Sequence, residues 1–222
     1  MLETIAATCR CLACDARLAI IHALCHQTEL RASAIAREVG ISAELAAHHL
    51  RRLTACAVIR PRRSGRYIYY RLTPTPAPPG RFAPVGLLRR AFRDTAWPAK
   101  GWDKDEVVHI TFPQAAALAP HVVRAMDIVF DATTAFGQVR RLQLMRFLAC
   151  EGQAGVEKLT QQLSMSPQAC WRHLDKLVRR GYIRAARRGV WALCERGETP
   201  FHEALLAEAK ASWGESLTVV QV

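Results

Sequence analysis

The chain has 222 residues, half of them hydrophobic, with 31 Lys and Arg against 19 Asp and Glu, a formal net charge of +12. That length allows one large domain or two modest ones, and such a positive surplus favours contact with a polyanion. No apolar run reaches the roughly 20 residues of a membrane helix, and no secretory leader opens the chain, so a cytoplasmic protein with no membrane partner is expected. Taken in order, residues 2–11 read as a helix. Residues 15–26 carry Leu18, Ile21 and Leu24 at helical spacing. A short helix over 32–39 stops at Gly40, Ile41 inserts behind it, and Ser42 is placed to cap a helix over 43–55. Helix, tight turn and capped helix make a helix-turn-helix. Residues 58–72 then form two extended runs rich in Ile and Tyr around a glycine turn at Gly65, a β-hairpin of the wing type.

A stiff proline-rich connector follows at 73–80 (TPTPAPPG). Residues 84–97 read as a helix with Leu87, Leu88, Ala91 and Phe92, residues 98–112 as irregular or briefly extended, and residues 114–135 as a long apolar helix. From there the first pattern returns. A shift of 124 residues, without a gap from 12 to 72, lays Arg17-Leu18 on Arg141-Leu142, Ser42 on Ser166, His49-Leu50 on His173-Leu174 and Gly65 on Gly189. Apolar positions agree as well: Ile20 meets Leu144, Ile35 meets Leu159 and Ile41 meets Met165. Pro167 stands at the first position of the second capped helix, where its missing N–H costs nothing. A shorter wing spans 182–193, and 200–213 reads as a last helix.

The expected fold is therefore mainly α with small β-hairpins (α+β): two tandem winged helix-turn-helix units, at 1–80 and 131–222, joined by helices at 81–130 that pack the copies into an intramolecular pseudo-dimer. The net charge of +6 over 1–80, +2 over 81–130 and +4 over 131–222 fits two nucleic-acid-binding ends around a nearly neutral middle.

Three segments resemble the ArsR family of bacterial transcriptional regulators. Residues 12–21 (LACDARLAII) are similar to its LADPTRLRIL segment, residues 41–53 (ISAELAAHHLRRL) to its recognition helix, and residues 65–72 (GRYIYYRL) to its wing, GRRVYYRL. The second copy, FGQVRRLQL at 136–144, fits more loosely. Family members are usually homodimers of single-winged chains, so the resemblance implies two such subunits fused, acting on duplex DNA as a repressor. A further chain-to-chain dimer is left open.

A recognition helix enters the major groove by its N-terminal part. With Ile41, Ala46, Leu50 and Leu53 on the core face, Ser42, Glu44, Ala47, His48, Arg51 and Arg52 are the expected DNA-facing residues of the first helix. Gln168, Trp171, Arg172 and Lys176 are those of the second. Arg172 suits a bidentate guanine contact and Gln168 an adenine contact. The wing arginines Arg60, Arg62, Arg63, Arg66, Arg187 and Arg188 suit phosphates or the minor groove. Trp171 has two readings, a contact to thymine methyls or a ring folded back onto protein. Glu44 suits only a cytosine amino group. Unequal heads imply an asymmetric operator. His49 and His173 read as structural.

Eight cysteines in a cytoplasmic chain are expected as thiols or metal ligands rather than disulfides. Cys9, Cys11 and Cys14 could bind As(III) or another thiophilic ion. Against that, Cys9 and Cys11 point about 200° apart on an intact helix. The family's usual Cys pair is also missing, since residues 29–35 read ELRASAI where the family has ELCVCDL. Cys25 and Cys170 read as small core residues. No glycine-rich phosphate loop or nucleophile elbow occurs, so an enzyme is not expected. An alternative is a protein-interaction regulator in which one winged helix is degenerate and does not bind DNA.

Overall fold

The computed structural model describes residues 1–75, 81–94 and 118–213. It opens on α1 (Leu2–Leu12) and α2 (Asp15–His26), followed by β1 (Leu30–Arg31), α3 (Ala32–Val39), α4 (Ala43–Ala55), β2 (Ile59–Ser64), β3 (Tyr67–Leu72) and α5 (Val85–Arg93). The same order then recurs as α6 (Pro120–Phe136), α7 (Val139–Glu151), β4 (Gln153–Gly155), α8 (Val156–Gln162), α9 (Pro167–Arg179), β5 (Ile183–Arg187), β6 (Val190–Leu193) and α10 (Pro200–Trp213). Each winged segment holds an antiparallel three-stranded sheet, ordered β1-β3-β2 and β4-β6-β5. The chain is thus mostly helical with small antiparallel sheets.

Local chemistry accounts for these boundaries. Gly40 ends α3 in the left-handed region (φ +70°), and Ser164, 124 residues on, takes the corresponding positive φ of +46°. Ser42 Oγ accepts a hydrogen bond from the Leu45 N–H at 3.1 Å, and Ser166 Oγ accepts one from the Ala169 N–H at 3.2 Å. Helices α4 and α9 therefore each begin on a satisfied cap, as the sequence implies.

Several expectations need correction. Each sheet gains a short third strand, β1 or β4, beyond the expected hairpin; two or three residues are too few to show an alternating pattern. The helix expected over 84–97 ends at Arg93, and Asp94 turns extended; 95–97 lie outside the described residues. The helix expected to start at 114 starts at Pro120, since proline suits the first helical turn and biases the residue before it towards extended backbone. Residues 114–117 lie outside the described residues, as do 98–112 and 76–80 of the connector. Helix α6 also runs unbroken through the boundary expected between 130 and 131.

The core lies between the helices that flank the two winged segments. Ile5, Ala6, Cys9 and Leu12 of α1 are buried, as are Met126, Ile128, Val129, Ala132 and Phe136 of α6. Helix α1 packs on α6 and α7, and α5 packs on α6 and α10. Helices at matching places in the two runs of elements therefore meet, α1 with α6 and α5 with α10.

The repeated Arg-Leu step acquires a physical reason here. Arg17 donates from Nε to the Cys11 carbonyl and from Nη2 to the Arg10 carbonyl at 3.3 Å, closing the end of α1. Arg141 donates to the Ala135 and Thr134 carbonyls, both at 2.6 Å, closing the end of α6. The last carbonyls of a helix have no partner within it and favour a cation. Arg141 is buried, and burial lowers its pKa without neutralising a guanidinium. Arg141→Ala is expected to cost about 2–3 kcal/mol, since two carbonyls lose charge-assisted bonds in a site closed to water. Urea unfolding would show this as a lower midpoint at unchanged slope.

Acid sensitivity is built into the same core. His22 on α2 stands edge-on to Phe92 at 5.6 Å and to His26 at 4.7 Å. Burial first, then the charges of His26 and His121, lower its pKa from 6.5 to about 4. The unfolded chain takes up the proton first, so this stability is full above pH 6.5 and is lost as the pH falls towards 4. The loss is expected to reach about 2–3 kcal/mol. His22→Gln should flatten the decline in a pH series of thermal melts; an unchanged decline would assign it elsewhere.

Candidate nucleic-acid interface

Helices α4 and α9 each follow a short helix and a turn, and in both the buried stripe faces the hydrophobic core. Ala46, Leu50 and Leu53 are buried on α4, and Cys170, Leu174 and Leu177 on α9. Ser42, Glu44, His48, Arg51 and Arg52 are exposed, and Ala47 is half-buried. On α9, Gln168, Trp171 and Arg172 are exposed, whereas Lys176 is half-buried. Burial, followed by the charges of Arg141 and Arg179, lowers the Lys176 pKa. Asp175 forms an ion pair with Arg179 one turn on. Ser42 is exposed with its hydroxyl already committed to the cap.

The first wing presents Arg60, Arg62, Arg63 and Arg66, all exposed. They are not equivalent. Arg62 donates from Nε to Glu29 Oε1 at 2.9 Å and from Nη2 to Oε2 at 2.6 Å, which lowers the Glu29 pKa. Its positive charge is therefore largely cancelled on the protein. Arg66 lies 5.0 Å over the ring of Tyr67, a contact that steadies the guanidinium while leaving its edge to solvent. The second wing is shorter, as expected, with a bulge between Ala185 and Arg187, and it exposes Arg187 and Arg188.

Trp171 takes a middle course between its two readings. It is 48% exposed, and its ring meets that of Trp191 on β6 edge to face at 5.9 Å. The α9 surface is thus tied to its wing through two aromatic rings while half of Trp171 faces solvent. His49 is buried, and burial and Arg17 hold its pKa down. His173 is half-buried, with its pKa lowered by burial and by Arg141.

Sequence reasoning missed three apolar residues on this surface: Leu45 at 43% exposure, and Tyr67 and Ile68 at the wing tip. Leu45 lies off the stripe of Ala46, Leu50 and Leu53, so helical phase alone points it outward. Its hydrophobicity pulls the eye towards the core instead.

The three cysteines singled out in the sequence are not brought together. Helix α1 is continuous to Leu12, Cys9 and Cys11 are buried in it, and Cys14 sits beyond it as the N-cap residue of α2. Cys11 instead lies near Cys56, the C-cap residue of α4, whose thiol donates to the Ala7 carbonyl at 3.8 Å. The neighbouring Cys11, helped by Arg17, Arg52 and Arg10, lowers the Cys56 pKa, and Cys56 with burial raises that of Cys11. Burial pushes Cys25 up to about 11. Because the thiolate is the reactive form, Cys56 is expected to alkylate far ahead of Cys25 at pH 7. Peptide mapping after a short iodoacetamide pulse measures the order, and labelling of Cys25 before Cys56 would contradict it. Cys25 and Cys170 lie buried in the core.

Residues 140–184, from α7 to the start of β5, match the family described as winged helix-turn-helix DNA-binding. A winged helix-turn-helix DNA-binding domain therefore lies in the second half of the chain, the half with the looser likeness to ArsR motifs. DNA is the partner it implies, and a non-enzymatic regulator is the class it points to. No curated protein and no solved structure matches the chain. Among the described residues, no helix is long and apolar enough to cross a membrane.

Proposed function

We propose that this chain is a transcriptional regulator of the ArsR type, a repressor that reads duplex DNA with two non-identical recognition helices presented by one polypeptide. The observation that carries this reading is the repeated order of elements, in which α4 and α9 are each serine-capped, exposed at their starts and followed by an arginine-bearing hairpin. The pairing of α1 with α6 and α5 with α10 supports an intramolecular pseudo-dimer, because in a two-fold interface each element meets its counterpart. Glu44, His48 and Arg51 on one head against Gln168, Trp171 and Arg172 on the other favour an operator with unlike halves.

Selection of bound sequences from random duplexes, followed by titration in several salt concentrations, tests the proposal. An asymmetric site and a steep fall of affinity with salt are expected. Equal affinity of both heads for a perfect palindrome would overturn the asymmetry, and salt-insensitive or absent duplex binding would overturn the function. The exposed ring of Trp171, packed on half-buried Trp191, favours a second reading, in which α9 docks on a protein and α4 alone reads DNA. A single half-site in the selected sequences would favour it. A response to As(III) or a thiol oxidant through Cys9, Cys11 and Cys14 requires the last turn of α1 to open. Titration of As(III) against DNA affinity, in the native chain and in the triple serine variant, tests that response.

A further inference from the structure

Away from the α4 and α9 surfaces, four side chains meet where the residues that follow α9 reach α6 and the start of α10. Asp131 on α6 and His202 on α10 are buried, and Glu198 from the segment before α10 is half-buried. One ligand atom from each of these three lies within 4.8 Å of the others, the one such grouping of His, Cys, Asp and Glu among the described residues. The fourth is Arg180, the C-cap residue of α9, which pairs with Oδ1 of Asp131.

We propose that Asp131, Glu198 and His202 form a binding site for one divalent transition-metal ion, of the Zn²⁺ or Co²⁺ class, that fastens the end of α9 to α6 and α10. Four observations support it. First, His202 Nε2 and Asp131 Oδ2 stand 3.5 Å apart. Two ligands at about 2.1 Å on a tetrahedral ion stand about 3.4 Å apart. Second, His202 Nδ1 lies 2.8 Å from the Thr199 hydroxyl, which fixes the ring. When Nδ1–H donates to that hydroxyl, the Nε2 lone pair faces the two carboxylates, as the outer partner of a metal-bound imidazole arranges. Third, Oδ2 of Asp131 is buried and accepts no hydrogen bond from the described residues, while Oδ1 is held by Arg180. Fourth, Gly181 (φ +66°) makes room for Glu198: a Cβ there would stand 2.2 Å from Glu198 Cγ.

One imidazole and two carboxylates suit a borderline ion better than a soft one. The charges agree: two carboxylates against Arg180 leave a net of −1, which a divalent ion converts to +1. The site shares no residue with the cysteines or the recognition surfaces, so it stands or falls independently of DNA binding.

Titration of the full-length chain with Co²⁺, read by visible absorption, tests the site. One equivalent of a d–d band without thiolate charge transfer is expected, displaced stoichiometrically by Zn²⁺. Glu198→Gln, at a half-buried position, is expected to weaken Co²⁺ at least tenfold with the fold unchanged by circular dichroism, and His202→Gln to abolish the band. Absence of the band in the native chain would overturn the proposal and leave the cluster a structural ion-pair network. A band that survives both substitutions, or one dominated by thiolate charge transfer, would place the ion elsewhere and overturn it equally.

Discussion

Replacing Arg60, Arg63 and Arg66 together by glutamine is expected to weaken duplex binding by about 10²–10³-fold at moderate salt and to lower the salt slope by about 2–3. Each of these arginines is exposed and carries a guanidinium that a phosphate can reach. Neutralising one phosphate contact lowers the slope by about 0.9, so three contacts set the expected change. Arg62→Gln supplies the contrast. Its guanidinium already binds Glu29 through both carboxylate oxygens, so little counterion release depends on it, and its loss should cost less than about threefold. Fluorescence anisotropy across a salt series separates the two cases. An Arg62 effect equal to that of the triple variant would mean that the ion pair opens on DNA. No effect of the triple variant would mean that the first wing does not touch the duplex.

Phe136→Ala is expected to cost the fold about 3–5 kcal/mol. The ring closes the last turn of α6, is fully buried, and meets Tyr182 edge to face at 4.9 Å. Tyr182 in turn points its hydroxyl at the Ala132 carbonyl, 3.4 Å away, so the pair fastens the start of β5 to α6. Truncation leaves a void in a region built from several helices, which cannot collapse without moving α6 itself. Denaturant unfolding would show a large fall in midpoint. A loss below about 1 kcal/mol would mean that the neighbours close the void. Sequence preference among duplexes should survive in the folded fraction, because Phe136 contributes nothing to either recognition surface.

The helices of both winged segments were legible because each buries a stripe with 3.6-residue spacing and ends on local chemistry: Ser42 and Ser166 as caps, Gly40 as a stop. The recurring Arg-Leu step has a physical counterpart, since Arg17 and Arg141 do the same work at the same distance from their helices. Strands β1 and β4 were not legible, since two or three residues show no alternation and acquire a partner only when β3 and β6 are already in place. The outward-facing residues of α4 and α9 followed from helical phase. Their inequivalence did not. Glu29 lies 33 residues from Arg62, and only folding lays the loop before β1 beside the wing so that one cation of four is cancelled.

The cysteines and the acidic cluster mark the same division. Sequence spacing drew attention to Cys9, Cys11 and Cys14, but α1 turns Cys9 and Cys11 to different sides and Cys14 lies beyond its end. Folding instead brings Cys11 to Cys56, 45 residues away, and Asp131 to Glu198 and His202. Periodicity and caps are local and the recurring motif is translational, so the sequence by itself determined the two serine-capped helices α4 and α9 and the basic hairpins that follow them. Which charges remain available, which thiols lie together and which carboxylates meet an imidazole depend on long-range burial and on the angles between packed helices. No local pattern encodes those angles, and only the tertiary structure decided them.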